Sequence, residues 1–311
     1  MLRIQYSRYG GPEELRLDDV DFVEPKGSQV CVRVMAASVN PMDWVIRRGQ
    51  VKAMTGSRFP RGLGHDFAGV VEAVGPAVTR LKVGDEVLGF TGLKEAGTFA
   101  EFAITDEANA YLKPRALSFE VAAALPIVGA TAWTGLFDKA RLRPGQSVFV
   151  TGCLGGVGRA ATQLALRRGA IVSGNCSAAG RDEALALGIK QVFDYRNFDT
   201  GAVQDRYDVV FDTAGTLSLT QCDALLKPGG VALHIVITAA KMIRSLLSSR
   251  HRTVFGKATS AGMAAIVDAA LEGSFVPKIA GTVPLSGAIS AIIALERTGL
   301  PKGKVIIVPG S

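Results

Sequence analysis

The sequence predicts a mixed α/β chain in two parts, a β-rich unit followed by a parallel sheet covered by helices. Three observations carry this reading. Up to about residue 110 the chain runs in short β-branched stretches punctuated by glycine and proline. Near Ser118 the apolar spacing turns helical, and from Ser147 onward apolar strands alternate with helical segments. The 36 glycines among 311 residues follow no three-residue period, which excludes a collagen-like chain and leaves many tight turns between short elements.

In chain order, MLRIQYSRYGG alternates like a strand, and VCVRVMAASVN (Val30 to Asn40), FAGVVEAVG (Phe67 to Gly75), KVGDEVLGF (Lys82 to Phe90) and TFAEFAIT (Thr98 to Thr105) continue the pattern. Many short strands with Gly and Pro turns predict a compact, barrel-like unit. FEVAAALPIVGATAWTGLFDKA reads as two helices broken at Pro126. SVFVTG, AIVSGNC, KQVFDY, DVVFDTAG and VALHIVIT then read as buried strands. GGVGRAATQLALRRG, RDEALALG and LTQCDALLKPGG read as the helices between them. Apolar strands without polar alternation, each followed by a helix, are what a parallel sheet buried on both faces requires, so this half is a doubly wound domain. VALHIVIT is expected to be its edge strand, and Thr238 to Arg252 a loop. After a helix at AGMAAIVDAALEG, the ending GKVIIVPG returns to strand character and can rejoin the first unit.

Composition narrows the class. Hydrophobic residues make up 48% and charged residues 20%, too apolar a balance for a disordered chain. The net charge of +7 is scattered, with its densest stretch at Arg244 to Arg252, and aromatic residues are only 7%, so a nucleic-acid surface is not expected. Cys31, Cys153, Cys176 and Cys222 form no C-x-x-C pair, which argues against a disulfide framework or a Cys-rich zinc module. No apolar stretch approaches the ~20 residues of a membrane span, and no secretory leader is visible. The expectation is a cytoplasmic protein acting on a small molecule, with no membrane or nucleic-acid partner.

The strongest chemical signal is VFVTGCLGGVGRAA (Val148 to Ala161), a buried strand that runs into a glycine-rich turn and opens a helix. Gly155 and Gly158 stand at the second and third glycine positions of G-x-G-x-x-G, and Cys153 stands at the first. Such a turn lets the backbone of Gly152, Gly155, Gly156, Val157 and Gly158 approach a pyrophosphate, and the helix N-terminus supplies partial positive charge. At the end of the next strand an NAD-selecting carboxylate is missing from Ile171 to Gly180. Ser177 lies where that carboxylate is expected and Arg181 follows, a hydroxyl and a guanidinium suited to a 2′-phosphate. Tyr195, closing KQVFDY, is a candidate to edge the same phosphate. The cofactor expected is NADPH.

These residues resemble the medium-chain dehydrogenases/reductases, in their zinc-independent quinone oxidoreductase-like branch. The likeness spans nearly the whole chain: ASVNPMDWVIRRG (Ala37 to Gly49), GLGHDFAGVVEAVG (Gly62 to Gly75), RLKVGDEVLGF (Arg80 to Phe90), GTFAEF (Gly97 to Phe102), LPIVGATAW (Leu125 to Trp133), the GGVG loop and the terminal GKVII. The resemblance implies a GroES-like catalytic domain made from both chain ends, 1–120 and 264–311, with a Rossmann domain inserted at 121–263. It further implies a homodimer. Asn40 and Asp43 match the family's N-x-x-D element and are the catalytic candidates. Asn40, Thr131 and Lys304 match positions that contact the cofactor.

Zinc-dependent relatives need two thiolates and a His–Glu pair. Here Asn40 stands at the first thiolate position, His65 is followed by Asp66, and no cysteine occurs near Gly129 to Thr134, so no metal is expected and His65 reads as a hydrogen-bonded turn residue. Without a metal, acceptors that already spread negative charge are favoured, namely quinones and α,β-unsaturated carbonyls. Several relatives carry a tyrosine two residues past the aspartate, where this chain has Val45, so no proton donor is assigned from sequence. Two other readings stand beside this one: an enoyl-thioester reductase of the same superfamily, and a non-catalytic NADPH-binding sensor.

Overall fold

A computed structural model describes residues 1–203, 206–236, 238–257, 259–299 and 301–310. In chain order it has strands β1 (Leu2–Tyr6), β2 (Arg16–Asp19) and β3 (Gln29–Ser38), then helices α1 (Pro41–Arg47) and α2 (Lys52–Thr55). Strands β4 (Arg61–Gly62), β5 (Asp66–Val74), β6 (Glu86–Phe90), β7 (Phe102–Asp106) and β8 (Ala110–Leu112) follow. Helices α3 (Phe119–Ala123) and α4 (Pro126–Trp133) lead to β9 (Ser147–Val150), α5 (Gly156–Arg167), β10 (Ile171–Cys176), α6 (Arg181–Ala186) and β11 (Gln191–Asp194). Next come β12 (Tyr207–Asp212), α7 (Leu219–Leu225), β13 (Leu226–His234), α8 (Ala239–Leu247), β14 (His251–Thr253) and α9 (Ser260–Leu271). The chain finishes with β15 (Ile279–Pro284), α10 (Ala288–Thr298) and β16 (Lys304–Val308).

Two compact units result: Met1–Ile127 with Pro277–Ser311, and Val128–Val276. The sequence placed the divisions at 120/121 and 263/264. Both divisions of the structure fall later in the chain, at 127/128 and 276/277, the second because α9 buries Met263, Ile266 and Val267 and packs against α5 of the second unit.

The first unit is antiparallel apart from the β15–β16 pair, and it centres on β3. Its larger sheet runs β15-β16-β3-β5-β6-β8 with β7 also on β3, and a smaller sheet runs β2-β1-β4. Alternating inward residues such as Val30, Val32 and Val34 of β3 meet Phe67 and Val71 of β5 in one buried core. The terminal strand does rejoin this unit: Ile306 pairs with Ser38 and Ile307 with Ala37, antiparallel. Fully buried Arg47 of α1 meets Glu296 of α10 at 2.5 Å and the Gly10 carbonyl at 2.8 Å, tying the two ends of the chain through a paired charge.

The second unit is a six-stranded parallel sheet in the order β11-β10-β9-β12-β13-β14. The order reverses between β9 and β12, where a doubly wound sheet opens a crevice at its strand ends. Three details depart from the sequence reading. The helix expected over LTQCDALLKPGG ends at Leu225, and Leu226 already pairs as strand with Tyr207. The expected edge strand is β13, yet β14 pairs outside it, with Ala232 opposite His251 and His234 opposite Thr253. Within VALHIVIT, Ile237 lies outside the described residues. The segment expected as a loop contains α8, whose polar side faces the protein. Lys241 Nζ reaches Asp212 Oδ2 at 2.7 Å and Arg244 reaches Asp223 at 3.4 Å, while Met242, Ile243, Leu246 and Leu247 point outward.

Candidate functional site

In the second unit, β9 hands the chain to the glycine-rich turn at the point where the strand order reverses. Thr151 knits the turn to β12: its hydroxyl donates to Asp212 Oδ1 at 2.9 Å and accepts from Ala214 N–H at 3.0 Å. Gly152 has φ +56° and its N–H donates to Asn175 Oδ1 at 2.8 Å. A Cβ on Gly158 would lie 2.1 Å from the Gly152 carbonyl oxygen, so only glycine permits this approach of helix to turn. Gly155 caps α5 without a side-chain acceptor, and Gly155 and Gly156 are exposed. The first N–H groups of α5, on Gly156, Val157 and Gly158, have no intrahelical acceptor. An open helix N-terminus over a backbone-lined cradle fits a pyrophosphate. Cys153, standing for the first glycine, is fully buried, and burial pushes its thiol up to about 12, an inert side chain.

At the adenosine end, Ser177 follows β10 and is half-buried, and Tyr195 N–H donates to the Cys176 carbonyl at 3.1 Å, which brings the ends of β10 and β11 together. Arg181 stands at the start of α6, but its Nη1 donates to the Val192 carbonyl at 2.7 Å, which commits that arm to β11. Sequence reasoning passed over Arg196. Its guanidinium is exposed, 5.8 Å from the centre of the 52%-exposed Tyr195 ring. The signal was present, a basic residue directly after the strand-ending tyrosine. Thr131 is buried against Gly256, where a Cβ would come within 2.5 Å of its Oγ1.

In the first unit the end of β3, the start of α1, the start of β5 and the start of β16 deliver five polar side chains, Ser38, Asn40, Asp43, Asp66 and Lys304, to one buried cluster. Asn40 caps α1, and Asp43, three residues in, accepts the Asn40 N–H at 2.8 Å, as in a capping box. Asn40 Nδ2 donates to Asp66 Oδ2 at 2.9 Å and to the Ser38 carbonyl at 3.2 Å, and Asn40 Oδ1 accepts from Lys304 Nζ at 2.6 Å. Asp66, fully buried, also accepts from Ser38 Oγ at 2.8 Å, from Ile127 N–H at 2.9 Å and from Lys304 Nζ at 3.4 Å. Burial pushes Asp43 up to about 8, helped by Asp66 and opposed by the Asn40 N–H and Lys304. Burial lowers Lys304, with Asp66 and Asp43 acting against it. His65 is pushed down to about 4, again by burial, and its Nδ1 lies 3.3 Å from Thr91 Oγ1. Asp66 and Ser38 are the members of this cluster that sequence reasoning did not assign.

This donor set does not suit zinc. A tetrahedral site takes thiolate, imidazole and carboxylate ligands. Here an amide and an ammonium stand beside Asp66, and among the described residues no group of three or more His, Cys, Asp or Glu could hold a metal ion. Nor, among them, is any helix long and apolar enough to cross a membrane.

Comparison with known proteins agrees with this architecture. Residues 26–115 match the alcohol dehydrogenase GroES-like domain, and residues 187–307 match a family described as zinc-binding dehydrogenase. The chain is 32% identical to a quinone oxidoreductase of Rattus norvegicus, over 99% of this chain and 97% of that one. It is 37% identical to an NADPH-dependent alkenal/one oxidoreductase of Arabidopsis thaliana, over 75% of this chain and 62% of that longer protein. The structure of a quinone oxidoreductase from Coxiella burnetii superposes with a TM-score of 0.90 at 29% identity, covering 99% of both chains. A GroES-like sheet, a Rossmann-type NAD(P)-binding sheet and full-length similarity of this degree make the chain an oxidoreductase that belongs to the quinone oxidoreductase-like branch of the medium-chain dehydrogenase/reductase superfamily.

Proposed function

We propose that the protein uses NADPH to reduce quinones or α,β-unsaturated carbonyls without a metal. The observation that carries the reading is the Asn40–Asp66–Lys304 cluster, in which Asn40, at the position where metal-dependent relatives carry a thiolate, is hydrogen-bonded to a buried carboxylate and an ammonium. When bound, the reduced nicotinamide supplies a hydride. The chain's own residues do the rest. The Gly152 to Gly158 turn shapes the cradle, and the N–H groups of Gly156, Val157 and Gly158 hold the pyrophosphate. Tyr195 and Arg196 present a ring and a positive charge to the adenosine 2′-phosphate, with the Ser177 hydroxyl beside them, and no carboxylate from Ile171 to Gly180 repels it. Thr131 lies toward the nicotinamide in this reading. The buried cluster of the first unit orients the acceptor. Quinones and enones suit such a site because conjugation spreads the charge that hydride addition creates, so hydrogen-bond donors suffice where an isolated carbonyl needs a Lewis acid.

The test is NADPH oxidation against a panel of quinones, enals and enones, alongside elemental analysis and chelator treatment of the same sample. Turnover with the panel, undiminished by chelator, is expected. Zinc at about one atom per chain, lost together with activity, would overturn the metal-free reading.

A further inference from the structure

The Asn40 side chain is the group the sequence pattern puts forward to orient an acceptor, yet its donors are spent. Both amide N–H bonds are directed inward, to Asp66 Oδ2 and the Ser38 carbonyl, and its oxygen faces the Lys304 ammonium. The opposite amide orientation would set NH2 against an ammonium and oxygen against a carboxylate, so the neighbours fix this one. An amide has no third N–H to offer an oxygen that is gaining charge.

Lys304 differs. An ammonium has three N–H donors, and within the cluster Asn40 Oδ1 and Asp66 Oδ2 take two. Its side chain keeps 8% of its surface accessible while that of Asp66 keeps none. The other titratable groups nearby serve the role less well. His65 is neutral near pH 7, and Asp43 is walled in, with Oδ1 unpartnered and the residue 1% exposed.

We propose that Lys304 stabilises and protonates the anionic oxygen of the acceptor, and that Asp66 and Asn40 are the positioning residues that aim its ammonium. This rests on the reading of the protein as a quinone or enone reductase. With an enone, a hydride from the reduced nicotinamide forms a C–H bond at the β-carbon. The C=C electron pair moves to the adjacent bond and the carbonyl pair moves to oxygen, giving an enolate. One Lys304 N–H bond then breaks, an O–H bond forms, and the electron pair stays on nitrogen as a neutral amine. Water returns the proton to the amine, and the enol tautomerises to the saturated ketone. With a quinone, the same transfer converts the hydroquinone monoanion to hydroquinone. Burial already lowers Lys304 toward release, and the two held N–H bonds leave the third with a defined direction.

The test uses the cofactor-free protein with 4-nitrophenol, a stable phenol whose absorption reports its ionisation. Wild type is expected to bind the phenolate and lower the pKa of the bound phenol. Lys304→Gln is expected to return that pKa to its value in water and to lower turnover by about 10²–10⁴. Lys304→Arg keeps the charge but holds its proton, so it is expected to retain the phenolate shift and lose turnover. Asp66→Asn is expected to weaken the shift and to move the pH profile of turnover. Unchanged phenol ionisation in Lys304→Gln, or full turnover in Lys304→Arg, overturns the assignment. Wild type that reduces none of the quinones and enones overturns the functional reading instead. In that case a phenolate shift lost in Lys304→Gln still supports Lys304 as the oxyanion donor.

Discussion

Lys304 Nζ lies 2.6 Å from Asn40 Oδ1, so the first residue of the last strand and the cap of the first helix share a buried hydrogen bond. Asn40→Ala leaves the ammonium one acceptor short. Losing a hydrogen bond to a charged group costs about 1.5–3 kcal/mol, so the urea midpoint is expected to fall with the m-value unchanged. Asn40→Asp restores an acceptor and recovers part of the loss. Equal midpoints for wild type and Asn40→Ala would contradict the role of this bond.

Gly158→Ala tests the cofactor cradle. Its Cβ is directed to within 2.1 Å of a backbone oxygen that cannot swing aside. The turn must open, and NADPH affinity measured by calorimetric titration is expected to fall at least tenfold, about 1.4 kcal/mol. Far-UV circular dichroism is expected to remain that of wild type.

Arg196 and Arg181 separate cofactor recognition from structure. Arg196→Ala is expected to weaken NADPH by roughly ten- to a hundred-fold, the worth of one charge-assisted bond, with NADH unaffected. Arg181→Ala removes the bond to the Val192 carbonyl. It is expected to cost about 1 kcal/mol of stability and to change both cofactors equally. A loss specific to NADPH in Arg181→Ala would return the phosphate to that residue.

Buried ionisable groups give the stability a distinctive pH dependence. His65 sits near 4 when folded against ~6.5 when unfolded, so its contribution is present above ~6.5 and is lost as pH falls toward 4. Asp43 is raised to about 8 from ~3.9, so the folded state holds a proton the unfolded state has released, and its contribution is lost as pH rises toward 8. His65 and Asp43 oppose each other between about 4 and 6.5, where buried His234, also pushed down to about 4, adds to His65; from about 6.5 to 8 Asp43 drives the decline and the lowered Lys304 acts against it. Urea midpoints are therefore expected to decline across that upper window, by at most about 1.4 kcal/mol per pH unit. Asp43→Asn is expected to flatten the decline.

The edge of the parallel sheet at β14 and the outward face of α8 bear on assembly. Leu246 and Leu247 are 83% and 80% exposed, and Met242 and Ile243 flank them. An open edge beside an apolar helix face favours a two-fold partner. Light scattering at micromolar concentration is expected to give twice the mass of one chain. The double variant Leu246→Glu, Leu247→Glu is expected to shift it toward the single-chain value.

The parallel sheet was legible because short, mostly apolar strands alternate with helical segments, and the cradle because Gly155 and Gly158 fall between a strand and a helix. What misled the reading were residues whose role is set by distant partners. LKPGG looked like a helix end, since Pro228 and Gly229 break helices, yet Leu226 was already recruited by Tyr207 of the neighbouring strand. The segment around α8 looked like a loop because its polar face is held by Asp212 and Asp223, ion pairs no local pattern announces. Asp66 was passed over for a similar reason. A lone aspartate after a histidine carries no motif, and its donors come from Ser38, Asn40, Ile127 and Lys304, spread along the chain.

Because β16 slots beside β3, the order of synthesis and the order of assembly cannot coincide. Strands β1 to β8 of the first unit emerge from the ribosome early, yet Ser38 meets Ile306 only once the whole parallel unit between them has been made. The parallel unit, contiguous in sequence from Val128 to Val276, can complete its sheet first. The earlier-made half waits with β3 paired to β5 and β7 and its Ala37–Ser38 end open for β16. The same late strand brings Lys304, so a nascent chain acquires its buried ammonium in the step that closes the sheet.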